Sequence, residues 1–171
     1  KQRERCLYGY TIKNARKDGS SVTITGRHYF YLNFWYIYGK DNNADKRFSK
    51  AKTLIRPRFV DLDYFFFWRV ESMIENGKDD EELKARQKGF SEKIAGGILA
   101  YNYTFVPFSQ SIVVAGNDED SKHTMSNAIR GLDQLVNTQF YKIRKRDAMD
   151  YLLAANFGSE IKQLTAGSQG E

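Results

Sequence analysis

The apolar positions change rhythm several times along the chain, and each change marks an element. Ser21 to Thr25 alternates polar and β-branched residues, and Gly26-Arg27 then leads into His28-Tyr29-Phe30-Tyr31-Leu32-Asn33-Phe34-Trp35-Tyr36-Ile37-Tyr38. Aromatic density of that kind predicts a strand or a buried platform. Residues 40–52 are polar and charged, include Asn42-Asn43 and have no apolar rhythm, which predicts a surface loop. Beyond Pro57 the spacing of Leu62, Phe65, Phe66, Val70, Met73 and Ile74 predicts a helix, with Asp61 or Asp63 as its N-cap and Gly77 as its stop.

A second helix is predicted to open at Ser91 and to carry Ile94, Ala95, Ile98 and Leu99 on one face. Its Gly96-Gly97 pair costs roughly 1 kcal/mol per glycine relative to Ala, so a neighbouring element is expected to pack closely there. Ser111-Ile112-Val113-Val114-Ala115, ending at Gly116, reads as a strand buried on both faces. A third helix is predicted from about Ser121, with Met125, Ala128, Ile129, Leu132, Leu135 and Val136 as its apolar stripe. Helix, loop, helix, strand, helix is the order of α/β layering, and right-handed crossovers place such helices against a mostly parallel sheet. There is no internal repeat, heptad array or low-complexity segment.

Composition narrows the class. The 171 residues suffice for one domain with a core, and 41% apolar with 28% charged residues are values of a globular protein. Aromatics reach 15% while Pro is limited to two, which favours ordered structure over linker. No stretch approaches the roughly 20 apolar residues that span a bilayer, and Lys1 to Cys6 is charged without a following apolar region, so neither membrane insertion nor secretion is expected. Cys6 is the single cysteine, so an internal disulfide is excluded and a reducing, cytoplasmic compartment is the default. The net charge of +6 and pI near 9.3 favour contact with polyanions, although a merely soluble basic surface accounts for them equally. A start at Lys1 and a small polar tail, Thr165 to Glu171, suggest a piece of a longer frame.

One octapeptide carries candidate chemistry: Lys84-Ala85-Arg86-Gln87-Lys88-Gly89-Phe90-Ser91. A phosphate loop needs a glycine where backbone approaches the anion, N–H groups at a helix start, a cation and a hydroxyl. Gly89 supplies the approach, the N–H groups of Gly89, Phe90, Ser91 and Glu92 face the phosphate oxygens, and Ser91 holds a magnesium ion. The standard G-x-x-x-x-G-K-[ST] pattern is not met, because Phe90 stands where lysine belongs. Lys84, five residues before the glycine, reaches over the same loop from its other end. The bland alternative is an ordinary basic helix start capped by Ser91.

The octapeptide resembles the deviant phosphate loop of the large terminases, the DNA-packaging motors of tailed bacteriophages, in which the lysine is displaced to the loop's beginning. Tyr8-Gly9-Tyr10-Thr11-Ile12-Lys13, Thr25 to Asn33 and Asp61 to Trp68 resemble the segments upstream of that loop, so the likeness covers most of residues 7–115. It implies an α/β, P-loop NTPase-type ATPase with a mostly parallel sheet and flanking helices, incomplete in this chain. Residues 1–78 are then an aromatic-rich segment leading into the core, 79–164 a partial ATPase core, and 165–171 a flexible tail. ATP and Mg2+ are the implied ligands. Lys84 binds phosphate, Arg86 senses the γ-phosphate as the catalytic candidate, and Ser91 coordinates the metal. Gln87, Lys88, Gly89, Phe90 and Glu92 complete the nucleotide contacts, and His28 to Asn33 lies near the adenine side.

The implied partners are double-stranded DNA, a portal protein and a small terminase, with a homo-oligomeric ring working at the procapsid in the host cytoplasm and no membrane. Such a motor also needs a strand ending in an acidic pair. Asp118-Glu119 follows Ile112 to Ala115, but Gly116-Asn117 displaces the carboxylates beyond the strand end, so the acidic pair and the nuclease domain are expected outside this chain. Asp79-Asp80-Glu81-Glu82 is acidic where a buried strand should precede the loop. The alternative reading is a non-catalytic, basic nucleic-acid-binding module. His28 and His123 have no companion ligands at metal spacing. Lys142-Ile143-Arg144-Lys145-Arg146 is either a contact to DNA backbone or solvated surface.

Overall fold

The structure is a computed structural model that describes residues 1–39, 53–79, 81 and 89–165. The chain is mixed α/β and divides into two units, Lys1–Lys84 and Ala85–Glu171. In the first unit helix α1 (Gln2–Tyr8) runs into strand β1 (Tyr10–Ile12), which pairs antiparallel with β2 (Val22–Ile24), Tyr10 opposite Ile24. Helix α2 (Gly26–Phe34) follows at once. Strands β3 (Ile37–Gly39) and β4 (Thr53–Ile55) pair antiparallel, and α3 (Asp61–Asn76) ends at Gly77. The loop expected over 40–52 lies outside the described residues.

The aromatic run is therefore helical from His28 to Phe34, and strand only at its end, where Ile37 and Tyr38 enter β3. Thr25 is extended, and its Oγ1 accepts the N–H of His28 at 3.2 Å, which caps α2 and starts the turn. The platform expectation fares better, because Gly26 through Tyr31 are all buried. Single-sequence strand propensity reports how well rings fit a half-buried surface, and a helix buried around most of its girth offers them the same environment. Gly26 is required by packing. A Cβ there would meet the carbonyl of Cys6 and the backbone of Leu7, where α1 crosses α2.

Helix α3 appears where its period predicts, with Gly77 left-handed at φ 58°. Its N–H donates to Ile74 O at 3.3 Å, and that of Lys78 donates to Met73 O at 3.0 Å. Asp61 and Asp63 fall in the first turn, where they complement the helix dipole, while the N-cap is Val60, without a side-chain cap. The buried stripe is Asp63, Phe66, Phe67 and Val70, whereas the expected Leu62, Phe65 and Ile74 are 51%, 66% and 54% exposed. Three consecutive phenylalanines leave the period ambiguous by one residue. Packing on α2 decides it, since the Phe67 ring stacks on His28 at 4.9 Å and sits 5.5 Å from Tyr31.

In the second unit one helix runs through three geometries: α4 (Phe90–Lys93), a π-helical stretch Ile94–Ala100, and α5 (Tyr101–Phe105). Gly96 and Gly97 lie inside the π stretch and are buried, and helix α6 (Asp118–Asp133) packs against that stretch. Helix α6 is thus a close neighbour of the stretch that contains the glycine pair. Its start, Asp118, precedes the predicted one by three residues, because Asn117 Oδ1 accepts the Asp120 N–H at 2.9 Å and three acidic residues fill the first turn. Met125, Ala128, Leu132 and Leu135 are buried as predicted, and Val136, beyond the helix, is 52% exposed.

The sheet has the order β5-β8-β7-β6, with β5 (Gln110–Ala115), β6 (Arg144–Ala148), β7 (Tyr151–Ala154) and β8 (Glu160–Thr165). Only β5 and β8 pair parallel; β7 is antiparallel to both β8 and β6. The sheet described is thus mixed and not mostly parallel. The links from β6 to β7 and from β7 to β8 are too short for a crossover and force antiparallel neighbours. β5 is an edge strand with one open face, Ile112 and Val114 being 55% and 59% exposed, so the two-sided burial expected of it does not hold. Thr165, the expected start of the tail, ends β8, and residues 166–171 lie outside the described part.

Two outcomes test this packing. Gly26→Ala lowers stability by roughly 1–3 kcal/mol through overpacking against α1, read as a fall in the urea midpoint at unchanged m-value. Burial pushes the Cys6 thiol up to about 12 from its ordinary 9.0. The native protein therefore reacts with a thiol reagent at pH 8 only at its unfolding rate. A thiolate forms in the unfolded chain before the folded one, so the stability contributed by this group is complete below pH 9 and falls as pH rises toward 12.

Candidate functional site

Of the predicted loop, Gly89, Phe90, Ser91 and Glu92 are described, while Lys84, Arg86, Gln87 and Lys88 lie outside the described residues. Gly89 takes φ 66°, ψ 20°, left-handed, and is the residue at which α4 begins. Among the described residues nothing stands within 4 Å of the position its Cβ would occupy. The first i→i−4 bond of the helix joins the Lys93 N–H to Gly89 O at 3.1 Å. The N–H groups of Phe90, Ser91 and Glu92 thus precede the helical ladder, at the positive end of the helix dipole. Ser91 is half-buried in the first turn. Capping by Ser91, the bland reading of this segment, is not what the helix uses: its cap position is Gly89.

Glu92 has a defined partner. Arg130 Nη2, from α6, donates to both carboxylate oxygens at 2.8 Å, with each side chain 19% exposed. Arg130 Nη1 donates to Asn127 Oδ1 at 3.2 Å, and Asn127 Nδ2 lies 3.3 Å from His123 Nε2. These α6 residues recur at four and three positions, so they share one ridge that is anchored to the first turn of α4. The pairing joins residues 38 apart, and the only trace of it in sequence is an arginine interrupting an apolar stripe. Lys93, one position on, is buried with its ammonium 6.0 Å from the Phe90 ring centroid.

Asp118 is held structurally. Gln163 Nε2 and Thr165 Oγ1 donate to it at 3.0 and 3.1 Å, and Lys122 pairs with it one turn on. The Lys122 ammonium, followed by those two donors, keeps its carboxyl below the ordinary carboxylate range. These bonds tie the start of α6 to the end of β8. An open cleft of ≈ 540 Å³ beside them, at the carboxyl ends of the parallel pair β5 and β8, is lined by Asp118, Lys122, Asp150 and Gln163 among others.

The basic cluster at 142–146 loses its central member to structure, since Arg144 is held by Asp133 at 2.6 Å and Asp147 at 2.8 Å with its side chain 8% exposed. His28 is buried among the rings of Phe59 and Phe67. Among the described residues no group of three His, Cys, Asp or Glu is gathered to hold a metal, and no helix is long and apolar enough to cross a membrane.

The Glu92–Arg130 contact is testable by a double-mutant cycle. Arg130→Met alone destabilises by about 1.5–3 kcal/mol, because it strands a half-buried carboxylate, and adding Glu92→Gln recovers part of that loss in urea unfolding. Compared with known proteins, the chain matches no protein-family model and no curated protein, so its function has to follow from its own residues.

Proposed function

We propose that this chain is the ATP-binding and hydrolysing portion of a phage large terminase, a P-loop NTPase-type motor that drives double-stranded DNA into a procapsid. The observation that carries the reading is Gly89, left-handed and placed directly ahead of a helix whose first turn holds Ser91. A glycine, a helix start and a hydroxyl are what a phosphate site requires. The mixed α/β unit and the likeness of residues 84–91 to the terminase loop support it further.

In this reading Lys84 and the N–H groups from Gly89 to Glu92 take the phosphates, with Gln87 and Lys88 beside them. Arg86 senses the γ-phosphate, and the Ser91 hydroxyl takes magnesium. Bound magnesium supplies charge neutralisation on the β- and γ-phosphate oxygens. Arg130, by gripping the Glu92 carboxylate, orients the first turn and keeps that negative charge paired. The acidic pair that activates water, the nuclease domain, the ring assembly and the portal and small-terminase contacts belong to the complete motor in the host cytoplasm. A non-catalytic nucleic-acid-binding module is the second reading, favoured by the exposed rings Phe59, Phe65 and Trp68 in the first unit.

Equilibrium binding of ATP with magnesium to the whole chain tests the first reading. Lys84→Ala and Ser91→Ala are each expected to weaken it roughly tenfold or more at unchanged circular dichroism, the loss of one charge-assisted contact. Parent-like affinity in both variants would sink the loop assignment.

A further inference from the structure

The first unit has an open cleft of ≈ 700 Å³ between the turn that precedes β2 and the start of α3. Such a volume lies in the roughly 300–1,000 Å³ range of sites that hold a small organic ligand. Arg16 and Lys17 form one side, and Phe59, Tyr64 and Phe65 the other. Phe65 is 66% exposed and Phe59 is 42% exposed, although large rings gain most from burial.

Both flanks are shaped in advance. Tyr64 lies 6.1 Å from Phe59 and 5.6 Å from Phe65, edge-on to the latter, and Phe59 is backed by the buried His28 ring, stacked at 5.3 Å. The opposite turn is closed by Arg16 N–H to Ser20 O at 3.2 Å and Gly19 N–H to Arg16 O at 3.0 Å. The nearby Asp18 carboxylate accepts the Ser20 N–H at 2.9 Å and sits below its ordinary range through its bonds to Ser20, so it is engaged within its own turn. Among the described residues Asp61 is the one carboxylate lining the cleft, against two cations.

Charge singles out the same unit. Lys1–Lys84 contains seventeen Lys and Arg against twelve Asp and Glu, whereas Ala85–Glu171 contains ten against nine. Five of the six net positive charges therefore lie in the unit that bears the cleft. A purely apolar partner has no use for Arg16 and Lys17, and a purely anionic one has no use for exposed rings. An unpaired nucleotide within a strand presents both a π-face and a phosphate, while duplex DNA hides its base faces in the stack.

We infer that this cleft binds single-stranded nucleic acid, with a base stacked on Phe65 against the Phe59–Tyr64 wall and the adjoining phosphates on Arg16 and Lys17. The site lies within the first unit and needs neither nucleotide nor magnesium, so it stands or falls separately from the loop at residues 84–91.

The test is fluorescence anisotropy of a labelled oligothymidylate with the whole chain, without ATP or magnesium, across a salt series. Phe65→Ala is expected to weaken binding by roughly 5- to 150-fold, as loss of one stacked base does, while Phe65→Tyr retains it. Because Phe65 is exposed, both variants keep the parent circular dichroism. Arg16→Ala with Lys17→Ala is expected to flatten the slope of log affinity against log salt by about 1.4, or about 0.7 per cation on a single strand. Parent-like binding by Phe65→Ala, no binding of the oligonucleotide by the parent, or equal competition from duplex DNA or from free thymidine monophosphate would each overturn the inference.

Discussion

Arg130 reaches from the last turn of α6 to both oxygens of Glu92, and the second unit's candidate chemistry depends on that contact. Both bonds come from the single nitrogen Nη2, so they form one bifurcated, charge-assisted contact that fixes where the guanidinium meets the carboxylate. The first turn of α4 is therefore held in place relative to α6. Gly89, whose left-handed backbone starts the turn, sits at the end of an element that cannot roll without breaking two charge-assisted bonds. Asp118 performs a comparable service at the other end of α6, joining its first turn to β8 through Gln163 and Thr165. Between these ties Met125, Ala128 and Leu132 face the core, and the π-helical stretch lies beneath them.

The π stretch explains why two glycines are tolerated in the middle of a buried helix. Each lowers helix propensity, and a continuous α-helix would gain by replacing them. Without side chains they allow the wider turn and the approach of α6 together, and π-turns recur near functional sites because they shift the phase of one helix end against the other. Here the end shifted is the one that begins at Gly89 and Ser91. In the first unit Gly26 has a similar part: a missing Cβ lets α1 lie across the start of α2, which brings Cys6 into the core.

The exposed rings of α3 arise from one choice of helix phase. Turning Phe67 inward against His28 and Tyr31 fixes Leu62, Phe65 and Trp68 on the outward side. Hydrophobic burial in one place thus creates an aromatic surface in another, and that surface faces Arg16 and Lys17 across a cleft. The proposed phosphate loop and the inferred strand-binding cleft lie in different units and rest on different residues.

Local signals in the sequence were enough for α3, its Gly77 stop, the helix opening near Ser91, the β5 strand and most of the α6 stripe, because each depends on nearest-neighbour periodicity and turn chemistry. Gly89 as a helix boundary was readable for the same reason. The start of α6 was expected at Ser121, and the Asn117 cap with its acidic first turn sets it three residues earlier. What tertiary structure alone decided involves partners far apart in the chain: the helical fate of His28 to Phe34, the inward choice of Phe67 over Phe65, the exposure of Ile112 and Val114 on an edge strand, and the Glu92–Arg130 contact. The strands β6 and β7 belong to the same class, since Arg144 to Ala148 is too charged to read as a strand until its neighbours supply the hydrogen bonds. Periodicity reports that a face is apolar, whereas only packing determines which neighbour covers it.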